Sequence, residues 1–320
     1  MKTECLRAAG IWVDSDRVSS LKEFGIILYS GEITGMLGLV GSGITVVADA
    51  LSGRKKLEKG QIYMDHTPVQ IRGMAQAEKM GIYVISEKTI FLDDLRLEEN
   101  LCLSQRQESM GITFPSEKQI SRIRRCMEEL KIQLKLKEYP KKLGSLECHL
   151  AEILRAYLMG CRILILNHIA NRYTRKELEK LKDVLDLLKE KGIAILLLES
   201  SCERVCKGTD SLYVLRGGRV EGIFERKEYD PGKIKRVMLG DYEIPDTQKT
   251  QFFYENDKTL LLEARGLEST AFKELCFQVE KGEVIGFWEE ENGICQPLLK
   301  VLWGEEKTVK GSLWLGEKKL

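Results

Sequence analysis

A stretch of 40 residues occurs twice in this chain. "SGEITGMLGLVGSGITVVADALSGRKKLEKGQIYMDHTPV", from Ser30, aligns without a gap with "KGEVIGFWEEENGICQPLLKVLWGEEKTVKGSLWLGEKKL", from Lys281, 251 residues further on. Gly31/Gly282, Glu32/Glu283, Gly35/Gly286, Gly53/Gly304 and Gly60/Gly311 coincide, and upstream "LRAAGI" from Leu6 matches "LEARGL" from Leu262. Repetition at this distance implies two copies of one globular module, since solenoid repeats recur every 20–50 residues or so. The second copy reaches position 320 soon after its loop, so the sequence holds only the start of a second module.

Within the first copy, short apolar runs predict strands near 6–13, 25–29, 33–37, 82–85, 163–166, 193–198 and 212–215, with helices at 46–51, 117–131, 146–159 and 175–191. "SEKQISRIRRCMEELKIQLKL" opens on a capping signal at Ser116 and carries apolar residues at helical spacing. Strands alternating with helices argue for an α/β fold with a mostly parallel sheet. Residues 97–143 show only helical and loop patterns, which predicts an inserted helical subdomain. Residues 221–258 are charged, hold two of the six prolines, and read as the connection between copies. The expected organisation is a first domain over 1–225, a linker over 226–258 and an incomplete second domain over 259–320.

The first copy also contains a candidate phosphate loop, "GMLGLVGSGITVVADAL", placed where a strand turns into a helix. In the pattern G-x-x-x-x-G-K-[ST], backbone N–H groups cradle phosphates, the lysine reaches the β/γ-phosphates and the hydroxyl holds Mg²⁺. Gly38, Gly41, Ser42, Gly43 and Thr45 fit that pattern, but Ile44 stands in place of the lysine. The glycines serve equally well as a tight turn, and Thr45 as a helix cap. Charge gives no independent pointer to a partner. Fifty Lys+Arg against 49 Asp+Glu leave a net charge of +1, hence no global field for nucleic acid or anionic membrane. "MKTECLRAAG" lacks an apolar leader pattern and the longest apolar run, 193–198, is too short to span a bilayer, so a cytoplasmic protein is expected. Nine scattered cysteines fit reduced thiols, and Cys202 with Cys206 lack the nearby His or Cys that a metal site needs.

The order "GEITGMLGLVGSG … GIYVISEKTIFLDDLRLEENLCL … LGSLECHLAEILRAYLMGCRILILNHIA … GIAILLLESSCERVCKGTDSLYVLRGGRV" resembles the ATP-binding subunits of bacterial sugar importers of the ribose, galactose and xylose type. These are ATP-binding-cassette (ABC) proteins with two cassettes in tandem. The resemblance implies a P-loop NTPase cassette, with a mostly parallel sheet flanked by helices, an antiparallel β part and an inserted helical subdomain. It also implies ATP and Mg²⁺ as ligands and a membrane permease subunit or another cassette as partner, with this chain peripheral to the membrane and not spanning it.

Carried over residue by residue, the family's chemistry is largely missing. Ile44 replaces the P-loop lysine, Glu87 stands near the glutamine-loop position, and Leu146 in "LGSLECH" replaces a signature glycine. Asn167 and His168 replace the Walker B Asp-Glu pair, Thr174 falls at the D-loop aspartate and Ser200 at the switch histidine. In the second copy, Glu289, Asn292, Ile294, Cys295 and Gln296 occupy the loop positions. His168 reads either as a general base or as a structural residue, and Trp12 as an adenine platform or as strand packing. In "SEKTIFLDDLRLEEN", Ile90, Phe91, Leu92 and Leu95 alternate with acids, as in a protein-contact rim or in anchors of the subdomain. The expectation is therefore a degenerate, non-hydrolysing cassette acting by protein contact, as a regulatory protein or silent partner. The alternatives are a working transport ATPase and a decayed gene product.

Overall fold

The computed structural model describes residues 2–14, 20–103, 115–201, 208–240, 259–269, 271–287 and 294–319. It divides into two compact units, Met1–Tyr242 and Glu243–Leu320.

The first unit is built on a six-stranded sheet of order β10-β9-β3-β8-β7-β6. Its strands are β3 (Ile33–Gly38), β6 (Ile82–Ser86), β7 (Ile163–Asn167), β8 (Ala194–Glu199), β9 (Ser211–Arg216) and β10 (Arg219–Glu225). All neighbours are parallel except β9 and β10. Successive side chains of a strand point to opposite faces, and here both faces are covered. Leu164 and Leu166 of β7 face a core shared with α5 (Ser145–Leu158) and α6 (Arg175–Glu190). Ile163 and Ile165 face a second core shared with α1 (Ile44–Leu51) and an antiparallel sheet. That sheet has the order β2-β1-β4-β5, with β1 (Glu4–Val13), β2 (Leu21–Tyr29), β4 (Lys59–Met64) and β5 (Thr67–Val69). Trp12 lies in β1 with the Lys59 ammonium 5.5 Å from its ring centroid.

Residues 97–143 contain α3 (Leu97–Leu103), α4 (Glu117–Glu129) and a short 3-10 turn, Pro140–Lys142, with no strand among the described residues. The Ser116 hydroxyl accepts the Gln119 N–H and the Gln119 side chain returns the bond, so the predicted cap closes α4. Leu97, Leu101, Ile123 and Leu130 carry the subdomain into the α5 core.

The stretch expected to link the copies is structured in its first part. α7 (Pro231–Leu239) starts on Asp230, whose carboxylate accepts the N–H groups of Gly232 and Lys233. Ile234 and Met238, one turn apart, pack on Leu37, Leu212 and Val214. Two apolar residues four apart suffice for a docking stripe, and the surrounding Lys233, Lys235 and Arg236 hide it in a reading of composition. Residues 241–258 lie outside the described set.

In the second unit, β11 (Leu260–Glu268), β12 (Leu275–Glu280), β13 (Lys310–Leu315) and β14 (Lys318–Lys319) form a sheet of order β12-β11-β13-β14, repeating the antiparallel sheet of the first. α8 (Cys295–Trp303) packs Leu298 and Val301 on it, as α1 does in the first unit. β3 is buried throughout, whereas Val284 in the matching segment is 93% exposed. No helix among the described residues is long and apolar enough to cross a membrane. No disulfide joins the described cysteines, and Cys202 and Cys206 fall outside the described residues.

Candidate functional site

The parallel register brings the sequence-predicted residues to one edge. Leu37 pairs with Glu199, Asn167 with Leu198, and Ser86 with Asn167. The glycine loop after β3, the Asn167-His168 corner after β7, Ser200 after β8 and Glu87 after β6 therefore all leave the sheet at its carboxyl edge, where open α/β sheets bind ligands.

In the loop, Gly43 sits at φ 94°, a left-handed position that glycine tolerates best, and caps α1. Ser42 is turned inward: its Oγ accepts the Ile44 N–H at 3.4 Å, and a Cβ at Gly38 would collide with it. The Ser42 carbonyl accepts the Gly218 N–H at 2.8 Å. Ile44 is 3% exposed, packed in the core with Val47 and Leu51. Thr45 and Gly41 are exposed. The turn thus keeps N–H groups and a helix N-terminus, which favour an anion, but residues 38–45 carry no charged side chain.

At the neighbouring corner, the Asn167 Oδ1 is enclosed without a hydrogen-bond partner among the described residues. His168 adopts φ 55° and its Nδ1 stands 4.0 Å from Glu199 Oε2. Burial lowers the His168 pKa, with Glu87 opposing, so the imidazole is neutral at pH 7. Glu199, which sequence reading missed, is buried at the end of β8 and accepts the Ala170 N–H at 3.1 Å. Its signal was an acid closing the apolar run "AILLLE". Thr174 is the N-cap of α6, in a reciprocal box with Glu177. Ser200 is exposed.

In the signature region, Leu146 is buried in the core and the Glu147 carboxylate accepts the Gly144 N–H at 2.9 Å. A carboxylate closes this helix N-terminus, which in a signature motif faces phosphate. In the second copy, residues 288–293 lie outside the described set; Ile294 caps α8, Cys295 opens it, and Gln296 is exposed.

Three buried polar side chains on two helices hold the loop that follows β6. His149 of α5 lies against the carbonyls of Ser86 and Glu87 through Nε2, at 3.1 and 3.3 Å, and against the Tyr173 hydroxyl through Nδ1. Burial lowers the His149 pKa and raises that of Tyr173. The consistent arrangement is a neutral ring donating Nε2–H to the carbonyls and accepting the phenol proton. Glu152 accepts the Ile90 N–H at 2.8 Å. Asn100 of α3 accepts the Leu92 N–H at 2.8 Å and donates to the carbonyls of Leu92, Leu95 and Arg96 at 3.0, 3.0 and 3.2 Å. Of the four apolar residues in this segment, Phe91 packs on the core while Ile90 and Leu92 are exposed. Leu95 is half-buried.

A family model described as ABC transporter matches residues 21–170, from β2 past the Asn167-His168 corner. Ribose import ATP-binding protein of Clostridium perfringens (strain 13 / Type A) is 28% identical over 318 residues, which is 98% of this chain and 62% of that one. The protein of the same name from Jannaschia sp. (strain CCS1) is 25% identical over 312 residues, covering 96% and 59%. This chain therefore spans about three fifths of the length of such relatives. Among solved structures, the ADP conformation of an ATP-binding cassette of an ABC transporter superposes with a TM-score of 0.64 at 21% identity, over 74% of this chain and 96% of that one. The first unit thus has the fold of an ATP-binding cassette, residues 21–170 match the ABC transporter model, and the chain is similar along nearly its whole length to ATP-binding subunits named for ribose import.

Proposed function

We propose that this chain is a cassette that has lost its hydrolysis machinery and acts by protein contact, as a regulatory protein or a silent partner of an active cassette. The observation that carries the reading is Ile44. At the first position of α1, where the family's lysine meets the β/γ-phosphates, an apolar side chain is packed into the core. Mg²⁺-ATP does not fit the residues present. No cation stands in the loop, Asn167 and His168 bring no carboxylate to a metal, and Glu147 repels phosphate at the signature helix. These positions supply separate parts of phosphoryl transfer, so their losses compound.

The retained element is the clamped loop after β6. It presents Ile90 and Leu92 to solvent beside Asp93 and Asp94, a mixed apolar and charged rim suited to a protein partner. By analogy with the relatives named for ribose import, that partner is a membrane permease subunit or another cassette, met at the cytoplasmic face of the membrane. Two measurements test the reading. Purified protein should hydrolyse no ATP above a blank, and photo-crosslinking from position 92 in cell membranes should recover a permease subunit or a second cassette.

One observation favours a working ATPase as second reading: the neutral His168 beside Glu199 has the layout of an oriented base. Turnover that is present in the native protein and vanishes in His168→Ala would establish it.

A further inference from the structure

Glu152 sits where the loop after β6 meets α5, and its surroundings give it only one hydrogen bond. Oε1 takes the Ile90 N–H, while Oε2 is enclosed with no hydrogen-bond partner among the described residues. The groups that face it do not neutralise it. On its own helix these are Cys148, a thiol held protonated by burial, and Arg155. Arg155 acts on it through charge alone, with its guanidinium 3.7 Å from Glu78 of α2 (Met74–Lys79) and 6.0 Å from the centroid of the Tyr83 ring. Tyr173, from the turn after β7, is a neutral phenol committed to His149. The loop contributes the Ile90 amide.

Burial accordingly raises the Glu152 carboxyl to about 7, with the Ile90 N–H and then Arg155 opposing. An ionised carboxylate here needs hydration. α5 and the sheet cannot yield without breaking the core, whereas the loop is held near this point by the Ile90 bond and, two residues on, by Asn100. Hydration is reached most cheaply by lifting the loop at Ile90.

We propose that Glu152 is a protonation-controlled latch on the contact loop: neutral Glu152 keeps Ile90 closed against α5, and ionised Glu152 releases it. The function assigned to the latch, regulation of partner binding by local pH, rests on the contact reading above. Ile90 is then one exposed knob with a switchable position, and Leu92, held by Asn100, is a fixed one. Opening then grows more frequent as pH rises toward the carboxyl's titration and levels off above it.

Amide hydrogen exchange by NMR on the full chain tests the latch without any partner, so its outcome is separable from that of the contact reading. The wild-type protection factor of the Ile90 amide should fall roughly tenfold from pH 6 to pH 8, as one proton is linked to closure, while that of Leu92 stays level. Glu152→Gln keeps an acceptor and cannot ionise, so its Ile90 protection should not change across the same range. A level Ile90 profile in the wild type, an equal fall in Glu152→Gln, or a fall shared by Leu92 would overturn the latch. Should Glu152→Gln fail to fold, the wild-type contrast between Ile90 and Leu92 decides the matter by itself.

Discussion

Gly60 and Gly311 stand 251 residues apart and do the same thing. Their φ angles are 93° and 90°, and a Cβ on either would collide with the carbonyl of a glycine in the adjacent strand, Gly10 for the first and Gly266 for the second. Each is the second residue of the strand that pairs with the first strand of its unit, β4 with β1 and β13 with β11. The repeat therefore preserves a close backbone approach as well as letters. Gly60→Ala and Gly311→Ala should each destabilise their own unit by about 1–3 kcal/mol, since both the conformation and the space exclude a methyl group. Thermal unfolding followed by calorimetry checks this, with the lower-melting transition identifying the unit affected.

Asn100 satisfies four backbone groups of one loop with one side chain. Asn100→Ala leaves the Leu92 N–H without its acceptor, and an unsatisfied polar group of this kind costs about 1–3 kcal/mol. The melting temperature should drop by several degrees and proteolysis should start between residues 90 and 96. A variant that melts with the wild type and resists protease would show that the loop is held by other means.

Glu152 makes stability depend on pH with a definite sign. Its carboxyl in the folded chain titrates at about 7 against an ordinary 4.5, so the neutral form is favoured by folding. That contribution is complete below about pH 4.5 and is lost as pH rises through 7. Glu152→Gln removes the dependence. It should be more stable than the wild type by about 3 kcal/mol at pH 8, with the gap opening between pH 4.5 and 7 and constant above. Urea denaturation at pH 5, 6, 7 and 8 measures it; a gap that shrinks toward pH 8 contradicts the burial argument.

Much of this was legible in the sequence because it is local or periodic. The apolar run at 163–166 falls inside β7, the run at 193–198 lies in β8 but for its first residue, and Ser116 announced the start of α4. The glycine turn at 38–43 and its missing lysine could be read from letters alone. What escaped depends on partners that only folding supplies. His149 and Glu152 lie on a helix whose other face is core, and nothing near them in sequence shows that they bond backbone some 60 residues earlier. Glu199 serves the Ala170 amide from the neighbouring strand. The helix Pro231–Leu239 was masked by its charges, since only Ile234 and Met238 carry its packing.

Isothermal titration of Mg²⁺-ATP into the purified chain tests the central claim most directly, because the proposed function depends on what the loop after β3 has lost. The remaining attractions are backbone N–H groups, a helix N-terminus worth about 0.3–1 kcal/mol, and the Thr45 hydroxyl. Ile44→Lys should strengthen binding without starting turnover, as Asn167, His168 and Ser200 remain unchanged. For the native chain the account predicts a millimolar dissociation constant or no measurable heat, and a micromolar dissociation constant would contradict it.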